Sequence, residues 1–89
     1  MVATETFVIR NKLGLHARAA AKLVQVAGQY KAKIQLERDG HQVNGKSILG
    51  ILTLACPRGS RITIRAEGTD AEAAVRDIGR LIQNKFGED

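Results

Sequence analysis

The sequence is poor in cysteine, proline and aromatic residues, and each shortage excludes a class of protein. Its 89 residues include one cysteine, Cys56, and two histidines, which permit no intramolecular disulfide and match no familiar zinc-ligand spacing. We therefore expect a reducing compartment, no metal and no cofactor. A single proline and a hydrophobic content of 44% exclude a disordered or collagen-like chain. The length suits one domain over residues 1–89 and is too short for an enzyme with a separate cofactor domain.

The sequence also lacks a long apolar run, and its N-terminus has neither the basic start nor the apolar segment of a signal peptide. We therefore expect a cytoplasmic protein without a membrane partner. The net charge of +5 is uneven, because residues 1–65 hold 11 basic and 3 acidic side chains while residues 66–89 hold 3 and 6. Acidic partners should be drawn to the first part. RNA is an alternative partner, but three aromatic residues offer few stacking surfaces, so we expect no binding to nucleic acid. We also expect a monomer.

Apolar and polar residues alternate over three segments, which predicts strands with one apolar face. These segments are residues 6–10, 32–37 and 61–66. Asp39-Gly40 is typical of a type I′ hairpin turn and predicts a further strand in which Val43 pairs with Leu36. His41, next to this turn, is predicted to face solvent and, like Cys56, is assigned no functional role. Strands of this kind form an antiparallel sheet with one face covered by helices.

Three segments have the apolar spacing of helices that could cover that face. They are residues 17–27, 47–54 and 70–86. Thr69 and Glu72 are spaced as a capping box at the start of the last one. The order β-α-β-β-α-β-α predicts an α+β open-faced sandwich, although these patterns alone leave the strand order open.

His16 lies at the predicted start of the first helix, where backbone amides are unpaired and the helix dipole is positive. An anion on this histidine could be bound by the amides of Ala17 and Arg18. The positive helix end favours the neutral ring, which leaves a ring nitrogen free as a nucleophile. Arg18 adds a guanidinium suited to phosphate, and Gly14 permits a tight turn before the histidine. A simple surface or capping histidine is the alternative interpretation of this position.

The stretch Gly14–Ala20 and the later stretch Gly45–Gly50 closely resemble the two motifs of the HPr family, the histidine-containing phosphocarriers of the bacterial phosphoenolpyruvate-dependent phosphotransferase system. The resemblance spans nearly the whole chain. It implies a four-stranded sheet in the order 1-4-2-3 with three helices on one face. It also implies that His16 accepts a phosphoryl group on Nδ1 from enzyme I and passes it to IIA domains of sugar permeases, with Arg18 as the active-centre arginine. Such a protein is a phosphoryl-transfer intermediate rather than a free-standing enzyme.

The chain departs from the family pattern at Ala19, where the family usually has proline. Proline is tolerated in a first helical turn because its missing N–H would have no partner there, and its fixed φ makes the turn rigid. We therefore expect carrier activity to survive in this chain, with a less rigid site.

Ser47 has two interpretations. Serine is a common N-cap, and Ser47 stands at the start of the predicted short helix. The resemblance adds phosphorylation by HPr kinase/phosphorylase, since many HPr-like proteins carry a phosphorylated serine in the same Lys-Ser-Ile context. Phosphate is tolerated at a helix start and would place negative charge near the docking surface. A mainly regulatory protein, acting through phosphorylated Ser47 or in a nitrogen-related branch, is therefore the alternative function.

The short helix has more apolar residues than one buried face needs. Ile51 and Leu54 are predicted to face the core. Three residues are then left partly exposed: Ile48, Leu49 and Leu52. An exposed apolar patch beside a reactive group often marks a partner site, and the resemblance implies docking of enzyme I and IIA domains there. Lys22 and Lys46 are predicted at its rim.

Overall fold

A computed structural model describes residues 1–88 and places a four-stranded antiparallel sheet beneath three helices. The elements in chain order are β1 (Val2–Val8), α1 (Ala17–Ala27), β2 (Lys33–Arg38), β3 (His41–Asn44), α2 (Ile48–Leu52), β4 (Arg61–Glu67), α3 (Ala71–Gln83) and a 3-10 turn (Lys85–Gly87). The strand order is β1-β4-β2-β3. The predicted α+β open-faced sandwich and the order 1-4-2-3 are therefore confirmed.

The hairpin between β2 and β3 has the predicted register. Leu36 pairs with Val43, and Arg38 pairs with His41, which is exposed. The turn residues Asp39 and Gly40 have φ angles of 52° and 82°, as a type I′ turn requires.

The core lies between the sheet and the helices, with inward side chains from every layer. Its largest fully buried members include Ile34, Leu36, Ile62 and Ile64 of the strands and Leu23, Ile51, Ile78 and Ile82 of the helices. Burial of one such aliphatic side chain contributes roughly 1.5–3 kcal/mol to stability. Cys56 is also buried, and this burial raises the pKa of its thiol.

Several element boundaries differ from the predicted ones. β1 begins at Val2, because its pairing with β4 extends from Val8 back to Val2, beyond the reach of the apolar alternation. The helix of residues 47–54 is shorter, since Ser47 is its N-cap and Thr53 its C-cap. The last helix ends at Gln83, because Lys85 and Phe86 adopt left-handed φ angles of 56° and 54°.

The capping box predicted from Thr69 and Glu72 is wrong. Asp70 is the N-cap of α3, and no side chain caps the helix there. The Asp70 carboxylate instead accepts hydrogen bonds from the amides of Lys31 and Ala32, at 2.8 and 2.9 Å. These hydrogen bonds lower the pKa of Asp70 and tie the start of α3 to the segment that enters β2.

Within residues 1–88, no helix combines the length and the apolar character that a bilayer crossing requires.

Candidate functional site

The loop between β1 and α1 is fixed by contacts with the segment that precedes β4. The Leu15 amide donates to the Cys56 carbonyl at 2.8 Å. Gly14 has a φ of +68°, and a Cβ at this position would lie 2.4 Å from the same carbonyl oxygen. Glycine is therefore required at position 14, and the close approach that it allows positions His16 at the start of α1.

His16 is the N-cap of α1, as the sequence predicted. Its backbone is extended, with φ −78° and ψ 178°, and its side chain is 27% exposed. Nδ1 accepts a hydrogen bond from the Arg18 amide at 3.2 Å. The imidazole thus lies at the positive end of the helix and remains accessible to a reacting group.

The two ring nitrogens of His16 have different partners. A backbone N–H can only donate, so the contact from the Arg18 amide favours the tautomer with the lone pair on Nδ1. Nε2 contacts the carboxylate of Glu88. An ionised carboxylate accepts hydrogen bonds and has no proton to donate. This pattern places the ring proton on Nε2 and leaves Nδ1 unprotonated, which is the state of a nucleophilic nitrogen.

Glu88 reaches the site from the C-terminal end of the described chain. Its second carboxylate oxygen, Oε1, accepts from Nδ2 of Asn11 at 3.0 Å. Asn11 is fully buried and also donates to the Gly14 carbonyl at 2.7 Å. Hydrogen bonds from His16 and Asn11 lower the pKa of Glu88, which is therefore ionised at neutral pH.

Sequence patterns did not identify Glu88 or Asn11 as site residues. Glu88 is separated from His16 by 72 positions and follows a turn that no apolar periodicity reveals. Asn11 lies in a loop, where asparagine is common for reasons of turn geometry. Only the folded chain brings the two side chains to the histidine.

Basic and apolar groups surround the imidazole. An open pocket at the ring is lined by Lys12, Leu13 and Arg18, together with His16 and Glu88. Arg18 and Lys12 are exposed, so their cationic groups can reach an anion in this pocket. Leu13 is 71% exposed and provides apolar surface in the same pocket as the imidazole ring.

α2 presents the apolar surface that the sequence predicted. Ile51 is fully buried and Leu54 is 5% exposed, whereas Ile48 and Leu49 are 40% and 78% exposed. Leu52 is partly buried. We define the α2 patch as Ile48, Leu49 and Leu52.

The Ser47 hydroxyl oxygen accepts a hydrogen bond from the Gly50 amide at 3.1 Å and so caps α2. This contact accounts for serine at position 47 structurally, and the side chain is still partly exposed.

The two lysines predicted at the rim of the α2 patch are bound to backbone carbonyls. Lys46 Nζ donates to the Tyr30 carbonyl at 2.7 Å. Lys22 Nζ donates to the Phe86 carbonyl at 2.6 Å and thereby ties α1 to the C-terminal turn. Both lysines therefore have contacts within the chain.

Known proteins resemble this chain over almost its whole length. A family model described as the PTS HPr component phosphorylation site matches residues 3–84. The chain belongs to the HPr family. The phosphocarrier protein HPr of Cupriavidus necator is 46% identical over 88 residues, which cover 99% of this chain and 98% of the relative. The crystal structure of HPr-C-His from Thermoanaerobacter tengcongensis superposes with a TM-score of 0.94 at 44% identity and covers 98% of both chains.

Membership of the HPr family gives the general function of the chain, which is a phosphocarrier of the phosphotransferase system. A further relative is the multiphosphoryl transfer protein of Haemophilus influenzae, 40% identical over 93% of this chain but only 17% of its own length. In that protein an HPr-like unit is therefore part of a longer chain.

Proposed function

We propose that His16 is the residue that carries the phosphoryl group, and that Nδ1 is the atom to which phosphorus binds. The observation that supports this most directly is the acceptor geometry of Nδ1, which receives a hydrogen bond from the Arg18 amide at the N-terminus of α1. An unprotonated nitrogen at a positive helix end can attack phosphorus, and the phosphoryl oxygens then lie near donors suited to them.

The transfer needs positioning and charge stabilisation more than covalent assistance from the protein. Nδ1 forms a bond to phosphorus while the bond between phosphorus and the donor's histidine nitrogen breaks. The proton on Nε2 stays in place. The amides of Ala17 and Arg18 and the Arg18 guanidinium then bind the phosphoryl oxygens, and transfer to an acceptor runs through the same steps in reverse.

We propose enzyme I as the phosphoryl donor and IIA domains of sugar permeases as acceptors, in the cytoplasm. The α2 patch and Leu13 provide exposed apolar surface for docking, and Lys12 and Arg18 provide positive charge beside it. RNA is disfavoured, because Phe7 and Phe86 are buried and the Tyr30 hydroxyl is bound to Asp77.

The experiment that tests the carrier residue compares the two histidines of the chain. Wild type, His16→Ala and His41→Ala are incubated with enzyme I and phosphoenolpyruvate, and the acid-labile phosphate on each protein is measured. We expect full labelling of wild type and of His41→Ala, whose ring is exposed on β3, and none of His16→Ala. Full labelling of His16→Ala would refute the assignment.

A second, regulatory function would act through Ser47. Ser47 is partly exposed and stands directly before the α2 patch, so a phosphate there would add charge to the docking surface. We expect Ser47→Asp to reduce the rate of labelling by enzyme I, while Ser47→Ala and Ser47→Asn leave it unchanged. Equal rates for all four proteins would remove this function.

A further inference from the structure

The C-terminal segment turns back from α3 toward His16. Lys85, Phe86 and Gly87 have φ angles of 56°, 54° and 75°, which reverse the chain direction immediately after the helix ends at Gln83. Two consecutive non-glycine residues in the left-handed region are uncommon and cost conformational energy. The segment therefore adopts this path only because contacts elsewhere hold it there.

Two anchors hold the segment in place. The Phe86 side chain is fully buried in the core, and the Phe86 carbonyl accepts from Lys22 Nζ at 2.6 Å. We call residues 85–88 the C-terminal clasp. The clasp is held by the burial of Phe86 and by the hydrogen bond from Lys22 of α1. It brings the Glu88 side chain to the imidazole of His16.

Both oxygens of the Glu88 carboxylate have assigned partners. Oε1 accepts from the buried Asn11 amide at 3.0 Å, and Oε2 contacts Nε2 of His16. The Glu88 side chain is 18% exposed, so water competes with these contacts less than it does at a fully exposed ion pair. A carboxylate aimed by a second, buried group at the far nitrogen of a reactive histidine is the arrangement that orients an imidazole and fixes its tautomer.

We propose that Glu88 is a positioning residue for phosphoryl transfer on His16, acting through Nε2 to keep the lone pair on Nδ1. This inference rests on the proposed function of His16. Glu88 holds the ring proton on Nε2, away from the atom that attacks phosphorus. When the bond from Nδ1 to phosphorus forms, the ring gains positive charge, and the carboxylate stabilises that charge. No proton leaves the ring in this step, and the donor nitrogen recovers the electron pair of the bond that breaks.

The chemistry of Glu88 can be separated from its bulk by three substitutions. Glu88→Ala removes the acceptor. Glu88→Gln keeps the shape but has only one side-chain oxygen, so its NH₂ must face either Asn11 or His16, both of which donate. Glu88→Asp keeps the charge on a shorter chain. Glu5→Ala is the matched control, because Glu5 is exposed on β1 and does not line the pocket at His16.

The first measurement is the tautomer of His16, read from the ¹⁵N shifts of its ring in an alkaline sample where the imidazole is neutral. We expect the Nε2–H form in wild type and in Glu5→Ala, a mixture of both tautomers in Glu88→Ala, and partial recovery of the Nε2–H form in Glu88→Asp. This readout requires no phosphoryl donor.

The second measurement is the phosphorylation rate with phosphoramidate, a small donor that does not depend on a docking surface. We expect Glu88→Ala to gain product on Nε2 and to react about 10-fold more slowly on Nδ1, which is the lower end of the effect of removing the carboxylate partner of a metal-ligating histidine. Glu88→Gln should lie between Glu88→Ala and wild type.

The outcomes separate the two proposals. An unchanged tautomer in Glu88→Ala would overturn the positioning role, whether or not the rate falls, because a slower rate alone would reflect a structural effect. Absence of phosphate from wild-type His16 with every donor would instead refute the carrier assignment, while the tautomer measurement would still decide whether Glu88 sets the tautomer of His16.

Discussion

At the residue scale, the two nitrogens of the His16 ring face opposite kinds of partner, and the proposed phosphoryl transfer depends on this asymmetry. Nδ1 faces a helix amide that can only donate, and Nε2 faces a carboxylate that accepts. The position of His16 at the start of a helix was predictable from the sequence, since glycine, histidine and an apolar repeat follow one another there. The contact with the Glu88 carboxylate was not predictable, because nothing in the sequence near position 88 indicates which residue Glu88 meets.

Gly14 gives a prediction about the backbone before His16. In Gly14→Ala the new Cβ would meet the Cys56 carbonyl in a left-handed conformation, whereas a Cβ added at Gly59, with a φ of +93°, would have nothing within 4 Å. We expect Gly59→Ala to lower the free energy of unfolding by about 1 kcal/mol and Gly14→Ala by about 3 kcal/mol. Urea titration of both variants measures the difference. Equal losses would show that the close approach to Cys56 does not constrain the loop.

Glu88 gives a prediction about pH. Its pKa is lowered by the hydrogen bonds from His16 and Asn11, so the contact is complete at neutral pH and is lost as the pH falls through the lowered value. We expect the side-chain amide resonances of Asn11 to shift with a midpoint below about 4.3, the ordinary value for glutamate. In Glu88→Gln this transition should be absent. A midpoint at or above the ordinary value would mean that the contact does not form in solution.

At the scale of the elements, α1 and α2 each begin with a residue that the sequence predicted, while the end of α3 was predicted wrongly. Caps are local signals, and Ser47 caps α2 through the adjacent turn. The end of α3 depends on the burial of Phe86 and on Lys22 from another helix, which are long-range contacts. The capping box predicted at the start of α3 also failed because of a long-range contact. The Asp70 carboxylate accepts from the Lys31 amide and does not cap its own helix.

The first turn of α1 gives the prediction at this scale. Ala19 precedes the first amide that bonds within the helix, which is Ala20 donating to the His16 carbonyl at 2.8 Å. Proline at position 19 therefore removes no helical hydrogen bond and restricts the unfolded chain. We expect Ala19→Pro to fold and to raise the free energy of unfolding by about 0.4–1 kcal/mol, with phosphorylation retained. A loss of stability would show that the buried surroundings of Ala19 leave no room for the ring.

At the scale of the whole molecule, the sheet order brings distant segments together around His16. The loops before α1 and before β4 meet at Gly14, and the C-terminal clasp completes the site from the other end of the described chain. The apolar patterns predicted the two layers and the core. They could not predict that these loops and the C-terminal clasp meet at His16. Apolar periodicity identifies the buried face of a helix or strand but does not show which residues a loop contacts.

The α2 patch gives a prediction for the surface of the molecule. Leu49 is 78% exposed, so Leu49→Ser should leave the free energy of unfolding within about 0.5 kcal/mol of wild type. We expect the KM for labelling by enzyme I to rise several-fold with kcat nearly unchanged, because docking is weakened and the chemistry at His16 is intact. Val8→Thr, at an exposed apolar residue of β1, is the control. An unchanged KM in Leu49→Ser would place the docking surface elsewhere.

The proposed bond between phosphorus and Nδ1 of His16 is tested most directly by locating the phosphorus atom. Protein labelled with ¹⁵N in histidine is phosphorylated with enzyme I and phosphoenolpyruvate, and ³¹P–¹⁵N couplings identify the bonded nitrogen. We expect a single coupling, to Nδ1 of His16. A coupling to Nε2, or phosphorus on any other residue, would contradict the assignment.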